Sequence, residues 1–162
     1  MILTTISLFF LPGAFPFMGL STQNQVWLNN IFMVIPTVGA GVAGILKLYD
    51  FHRSLPWIFV AAQTALFLYL FFYLIDVSHS TMYAPTWLIF LIVSIFTFMA
   101  GYNSTMVYML LRARVITSFV QRSQRYAGFA YQIGATIGIF SNVGCIHGGV
   151  FYFNPMAPIL EP

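Results

Sequence analysis

Residues 112–125 read RARVITSFVQRSQR, and together with residues 47–54, KLYDFHRS, they contain all six lysine and arginine residues of the chain. The stretches that flank both segments are almost wholly apolar. In membrane proteins, lysine and arginine accumulate in the loops on the cytoplasmic side. Two apolar stretches separate the two basic segments, so both segments fall on the same side of a membrane. This distribution predicts a membrane protein and the direction in which its spans run.

The composition supports the same class. Of the 162 residues, 60% are hydrophobic and 6% are charged, whereas a soluble domain carries about 25% charged residues. The chain therefore cannot cover itself with polar groups, and we expect membrane lipid to be its surroundings. The net charge of +3 is small and lies at span ends. It forms no continuous basic patch, which argues against a nucleic-acid partner and favours attraction to anionic lipids.

An all-α, polytopic transmembrane bundle of about five spans follows from the apolar runs, because a helix needs about 20 residues to cross about 30 Å of hydrocarbon. The basic segments place the N-terminus inside and the C-terminus outside. After the last span, residues 154–162 form a predicted extracellular tail. The predicted spans are residues 2–20, 26–46, 55–75, 86–111 and 126–152.

The second basic segment has two readings. Val115, Ile116, Phe119 and Val120 could form an apolar stripe between the arginines, which is typical of a short helix at the membrane surface. The stripe covers barely two turns, so a solvated loop satisfies the pattern equally well.

No catalytic constellation is present in the sequence. His52, His79 and His147 lie at or near span ends, and Cys145 is the single cysteine. An acid–base or metal site needs several convergent groups, and one cysteine can form neither an internal disulfide nor a spaced metal motif. We therefore predict no enzyme activity, no metal site and no cofactor.

Uncharged polar residues within the spans carry more information. No Asp, Glu, Lys, Arg or His lies at the centre of a predicted span, although proton and cation pathways usually need one. Gln63 and Asn103 lie about 15 Å and 13 Å deep, counted at 1.5 Å per residue from Arg53 and Arg112. An amide left unpaired in hydrocarbon costs about 2–7 kcal/mol. Such amides either bond neighbouring helices to each other or line a cavity for a neutral solute.

The last predicted span contains the densest pattern of small and polar residues. Gly134 and Gly138 form a pair of small residues spaced for close helix packing. On an adjacent face, five residues fall within about 80° of one another, which predicts a polar side facing a solute path. Those five are Gly128, Gln132, Ala135, Ile139 and Asn142.

The second span offers a similar packing surface, and prolines interrupt the first two spans. Interrupted helices can mark binding sites at membrane depth, but proline is also common in membrane helices. The packing residues are Gly39, Ala40, Ala43 and Gly44, and the prolines are Pro12, Pro16 and Pro36.

Four short motifs follow one another in order: Gly13-Ala14-Phe15-Pro16, Arg53-Ser54-Leu55, the spaced set Tyr102, Met106 and Arg112, and the spaced set Gly128, Gln132, Gly134 and Gly138. Together they resemble the C-terminal five spans of the eukaryotic riboflavin transporter family, over about residues 8–145. The chain departs from that family's pattern at residues 40–43, which read AGVA in place of an Asn-Pro-Leu-Ala run.

The resemblance implies one half of a carrier whose architecture is like that of major-facilitator and equilibrative nucleoside carriers. It implies facilitated transport of riboflavin across the plasma membrane, with a missing N-terminal half as partner. Gln132 and Asn103 are the first candidates for hydrogen bonds to the substrate, and Tyr102, Tyr131 and Gln63 are further candidates. We expect that this chain alone does not transport, because alternating access normally uses two repeats. The alternative is a small, non-transporting membrane scaffold or assembly protein.

Overall fold

The computed structural model describes residues 7, 16–46, 55–79, 85–114 and 119–150. Four long helices account for most of them: α1 (Thr22–Leu46), α2 (Leu55–His79), α3 (Thr86–Arg114) and α4 (Val120–His147). Each is long and apolar enough to cross a membrane, by length and composition. The chain therefore has the make-up of a multi-pass, all-helical membrane protein.

These helices correspond to the last four predicted spans. The predicted span at residues 2–20 lies mostly outside the described residues, so five spans and the membrane orientation stay predictions. Helix α1 begins four residues before the predicted limit, at Thr22. Ser21 precedes this first turn, with its side-chain oxygen 3.4 Å from the backbone nitrogen of Asn24. An oxygen in this position satisfies one of the unpaired N–H groups at a helix start.

Helix α4 differs most from its predicted limits, residues 126–152. It begins at Val120, so the second half of the basic segment forms its first turns; residues 115–118, which carry the rest of the apolar stripe, lie outside the described residues. The helix ends at His147 because Gly149 adopts a φ of 69°, which favours glycine. The backbone N–H of Val150 then donates to the carbonyl of Cys145 at 2.9 Å, a pattern that closes helices.

Helices α1 and α3 cross with their backbones in contact. A methyl group added to Gly39 would overlap the carbonyl of Phe98 and lie 3.1 Å from the nitrogen of Tyr102. A methyl group added to Gly101 would lie 2.8 Å from the Cα atom of Pro36. Leu28, near the start of α1, packs with Ile89 near the start of α3, and Ala43 packs with Met106 toward the ends of both helices, so α1 and α3 run parallel. Glycine permits this approach in membrane helices.

The apolar residues form two cores at opposite ends of the bundle. The large core joins the start of α1, the end of α2 and the start of α3, and Cys145 of α4 packs against it. The small core joins Ala43, Tyr102 and Met106, with Phe59 packed against them. The small core lies where α1 ends, α2 begins and α3 ends, so the helix ends that flank the two basic segments share this end. The buried members of the large core are Met18, Leu20, Leu28, Leu70, Tyr73, Leu74, Ile89, Val93 and Phe96.

Helix α4 is the most exposed of the four. Its buried residues are Gly134, Gly138 and Asn142, which recur every four residues along one side. Large apolar side chains on its other sides are open, with Phe140 exposed to 70% and Phe129 to 67%. Within the described chain, α4 therefore presents a wide apolar surface to its surroundings.

Candidate functional site

Two buried amides connect α2 and α3. Gln63 and Asn103 are both fully buried, and Asn103 Nδ2 donates to Gln63 Oε1 at 2.6 Å. Asn103 Nδ2 also donates to the backbone carbonyl of Phe59 at 3.4 Å. Gln63 Nε2 donates to Ser7 Oγ at 2.8 Å. The amide chain, defined as Ser7, Gln63 and Asn103, thus joins three segments of the protein.

The backbone carbonyl of Phe59 sets the direction of the hydrogen bonds in the amide chain. A carbonyl oxygen can only accept, so Asn103 must turn its NH₂ group toward Phe59. Gln63 must then offer its oxygen to Asn103, which leaves its NH₂ group for Ser7. Asn103 Oδ1 consequently points away and has no hydrogen-bond partner among the described residues, although it is buried. An unpaired buried acceptor costs about 1–3 kcal/mol.

For this pair the structure shows bonding between helices, one of the two readings of the sequence. The membrane depths of Gln63 and Asn103 that were counted from the sequence are similar, and the two side chains form a hydrogen bond. Tyr102, the neighbour of Asn103, lies in the small core instead. Its ring is stacked on Phe98, with centroids 6.3 Å apart and planes 19° apart, and it is tilted against Phe59 at 5.0 Å.

A cavity of about 250 Å³ lies among α1, α3 and α4. Its walls are apolar, aromatic and hydroxyl groups, and none of the described lining residues carries a charge. Ser7 belongs both to this lining and to the amide chain. Tyr131 of α4 lines it as well, so one predicted site residue lies at the cavity. The lining residues are Ser7, Phe32, Pro36, Ala40, Phe96, Thr97, Ala100, Gly101, Ser104, Thr105 and Tyr131.

Two hydroxyl groups on the α3 wall have already used their hydrogens. Thr97 Oγ1 donates to the carbonyl of Val93 at 2.8 Å and shares that hydrogen with the carbonyl of Ser94 at 3.1 Å. Ser104 Oγ donates to the carbonyl of Ala100 at 2.7 Å. A hydroxyl has one hydrogen to donate and two lone pairs. Thr97 and Ser104 therefore offer only acceptor capacity to the cavity.

Gln132 is not brought together with the other predicted site residues. It lies on an exposed part of α4, where its backbone carbonyl accepts from Thr136 Oγ1 at 2.9 Å. The five-residue face predicted for this span does not stay together either, because Asn142 is buried while Gln132 and Ile139 are exposed. The buried side follows Gly134, Gly138 and Asn142 instead.

The sequence reasoning missed the α3 wall, although a signal for it was present. Small and hydroxyl residues recur there at helical spacing within a helix of otherwise bulky side chains. They are Thr97, Ala100, Gly101, Ser104 and Thr105. Positions three, four, seven and eight apart fall on one side of a helix. This small, polar stripe marks where α3 leaves space.

A metal site finds no support in the part of the chain that the structure describes. There, no three side chains of His, Cys, Asp or Glu lie close enough to hold an ion. The sequence prediction of no metal and no catalytic site was made from residue types alone, and this observation concerns only the described residues.

Comparison with known proteins identifies no relative: neither a family model, nor a curated protein, nor a solved structure matches this chain. The likeness to riboflavin transporters therefore rests on the four sequence motifs alone.

Proposed function

We propose that this chain is part of a membrane carrier for an uncharged, hydrogen-bonding solute, and that this solute is riboflavin. The observation that carries the proposal is the charge-free cavity among α1, α3 and α4, which Ser7 joins to the buried amide chain. Binding sites for small molecules combine apolar walls with a few placed polar groups. The proposal assigns the plasma membrane as the location, as in the family that the motifs resemble.

The chemistry of the lining suits such a solute. Riboflavin is neutral, so its site needs no buried charge. Phe32, Phe96 and Tyr131 supply aromatic surface for a flat ring. Thr97 and Ser104 supply hydroxyl oxygens for the hydrogen bonds of a sugar-like chain.

The size of the cavity supports the view that the chain is one part of the carrier. Its volume of about 250 Å³ is below the range of about 300–1,000 Å³ that is usual for ligand pockets. It can hold one portion of a flavin, and the proposed N-terminal half would complete the site. An alternating-access carrier places its site between two such repeats.

The exposed position of Gln132 supports a further helix against α4. Gln132 lies about 18 Å from the first residue of α4, which is near the middle of a membrane span. An amide that faces hydrocarbon costs about 2–7 kcal/mol. A helix from the proposed N-terminal half would cover this amide and offer it a partner.

The test is a graft of this chain in place of the last five spans of an established riboflavin carrier. We expect saturable uptake of labelled riboflavin in cells, with surface expression measured in parallel. Tyr131→Ala in the graft should lower uptake, because the ring lines the cavity. Tyr69→Ala is the matched control, since Tyr69 is an exposed tyrosine of α2 outside this cavity. Normal surface expression without uptake would contradict the proposal.

A scaffold or assembly protein is the second candidate, and the bonding of Gln63 to Asn103 favours it. In this role the amides and glycines only hold the bundle together, and the exposed side of α4 binds a partner. The two functions predict different results for Gln132→Ala. A scaffold would lose its partner from complexes extracted in mild detergent, whereas the grafted carrier would lose riboflavin uptake.

A further inference from the structure

We propose that the cavity among α1, α3 and α4 selects flat, uncharged solutes that donate a hydrogen bond to Thr97 Oγ1 or Ser104 Oγ. The inference deepens the proposed function, and it rests on that function for the identity of the natural solute. It adds the direction of the hydrogen bonds, which neither the sequence motifs nor the cavity volume supply.

The first step of the argument is the state of the two hydroxyl groups. Thr97 and Ser104 donate their hydrogens to helix carbonyls at 2.8 Å and 2.7 Å. What remains at each oxygen is lone-pair density. A solute carbonyl or carboxylate placed against them would meet repulsion, whereas an N–H or O–H group would find an acceptor.

The second step is charge. An ammonium group is also a donor, but no lining residue is acidic, and moving an unpaired ion from water into an apolar site is far more costly than moving a neutral donor. No lining residue is basic either, so an anion gains no partner. The walls therefore favour neutral donors over charged ones of either sign.

The third step concerns the neighbouring amide chain, which shows the same imbalance. Asn103 Oδ1 is a buried acceptor without a partner, and the other polar atoms of Asn103 and Gln63 are committed to each other, to Phe59 and to Ser7. Asn103 Oδ1 is thus an acceptor in excess within the amide chain, as Thr97 Oγ1 and Ser104 Oγ are on the cavity wall. A solute with hydrogens to donate finds its acceptors at Thr97 and Ser104, the two that line the cavity.

The spacing of the two oxygens adds a shape requirement. Thr97 and Ser104 are seven residues apart, which is two helical turns or about 10 Å along α3. A small ring system reaches one oxygen at a time. A solute with a donor on a flat ring and hydroxyl groups on an attached chain reaches both, and riboflavin has this form.

The experiment uses the full chain in lipid nanodiscs with two probes, indole and 1-methylindole. Indole has one N–H donor and no other polar hydrogen, and 1-methylindole has the same rings without that donor. Equilibrium dialysis gives the Kd of each probe, and empty nanodiscs measure the share that dissolves in lipid. We expect indole to bind about two- to tenfold more tightly, the usual worth of one hydrogen bond.

Variants assign the preference to the cavity. Thr97→Val and Ser104→Ala each remove one acceptor with little change in shape, and the double variant should bind both probes equally. Ser94→Ala is the matched control: Ser94 Oγ donates to the carbonyl of Phe90 at 2.7 Å in the same way, but Ser94 does not line the cavity. This control should keep the full preference for indole. Circular dichroism and size-exclusion profiles identify any variant that fails to fold.

Three results would overturn the inference: equal affinity of the two probes, a preference that survives in the double variant, or no saturable binding of either probe. Riboflavin uptake by the grafted carrier is read separately. A preference for indole without riboflavin uptake removes riboflavin as the solute and leaves the donor requirement intact. Riboflavin uptake without a preference for indole removes the donor requirement and leaves riboflavin as the solute.

Discussion

The two sides of α3 are built from similar residues and behave in opposite ways. Toward α1, Gly101 meets the backbone at Pro36, and no side chain fits between the helices. Toward α4, Ala100, Ser104 and Thr105 face a cavity. Small residues permit a close approach, but a second helix must bring its own backbone to complete it. Helix α1 does so through Gly39, whereas Tyr131 of α4 holds a large ring at the same level.

Other glycines extend this comparison. Among the described residues, no atom lies within 4 Å of a methyl group added to Gly128 of α4 or to Gly44 of α1. Among the predicted packing residues of this span, Gly39 and Ala43 are buried, whereas Gly44 meets no contact among the described residues. A glycine in these helices therefore marks a contact only where the backbone of a facing helix comes within reach.

The largest expected effect comes from adding a methyl group where the backbones of α1 and α3 touch. Gly101→Ala should destabilise the bundle by about 1–3 kcal/mol, because the new methyl group overlaps the backbone at Pro36. Gly128→Ala is the control, and it should be stabilising by up to about 1 kcal/mol, since alanine favours a helix more than glycine does. Unfolding in mixed micelles measures both. Equal effects would show that the contact between α1 and α3 at Gly101 is no tighter than the surroundings of Gly128.

The next effect concerns the buried amides. Gln63→Leu and Asn103→Leu should each cost about 1–3 kcal/mol, because each leaves a buried partner unpaired. Together they should cost less than their sum, with a coupling of about 0.5–3 kcal/mol. Ile137→Leu, an apolar exchange on the exposed side of α4, serves as control and should change stability by less than about 0.5 kcal/mol. Additive losses at Gln63 and Asn103 would contradict the amide chain.

Filling the cavity should separate binding from stability. Ala100→Leu places a larger side chain in space that the structure leaves between α3 and α4. We expect probe binding to be lost while unfolding free energy changes by less than about 1 kcal/mol, since filling a void offsets the cost of a larger side chain. Gly128→Leu adds the same side chain outside the cavity and should preserve binding. If Ala100→Leu binds the probes normally, they occupy another place.

The smallest effect is expected at the exposed start of α4. The guanidinium of Arg122 lies 5.8 Å from the ring centre of Tyr126, and Arg122 Nε donates to the hydroxyl of Tyr126 at 3.4 Å. Tyr126→Ala should cost about 0.5 kcal/mol, as exposed pairs of this kind contribute little. Tyr69→Ala, an exposed tyrosine without an arginine in this arrangement, provides the baseline. A much larger loss at Tyr126 would show that α4 depends on its surface contacts.

The helices themselves could be predicted because length and apolar content suffice to recognise a span. The residues at which the helices end were harder to predict. Helix α4 ends at His147 because Gly149 takes a positive φ and the N–H of Val150 donates to the carbonyl of Cys145. Nothing in the apolar run shows which of two adjacent glycines, Gly148 or Gly149, will close the helix.

Which side of each helix is buried could be predicted only in part. In a soluble protein, an apolar stripe shows which side of a helix is buried. In a membrane protein, the lipid-facing side is apolar as well, so a stripe no longer identifies the buried side. The exposed Phe129 and Phe140 of α4 illustrate this. The depths of Gln63 and Asn103 followed from counting residues, whereas their pairing depends on how α2 and α3 are rotated.

The tight contact between α1 and α3 also determines which parts of the bundle can move. With Gly39 and Gly101 set against facing backbone, neither helix can slide or roll without lifting the other, so the pair behaves as one rigid body. Helix α4 packs against the large core through Cys145 and Ile146 and lines the cavity with Tyr131. Access to the cavity would then be controlled by the tilt of α4, with the α1–α3 pair as the fixed frame.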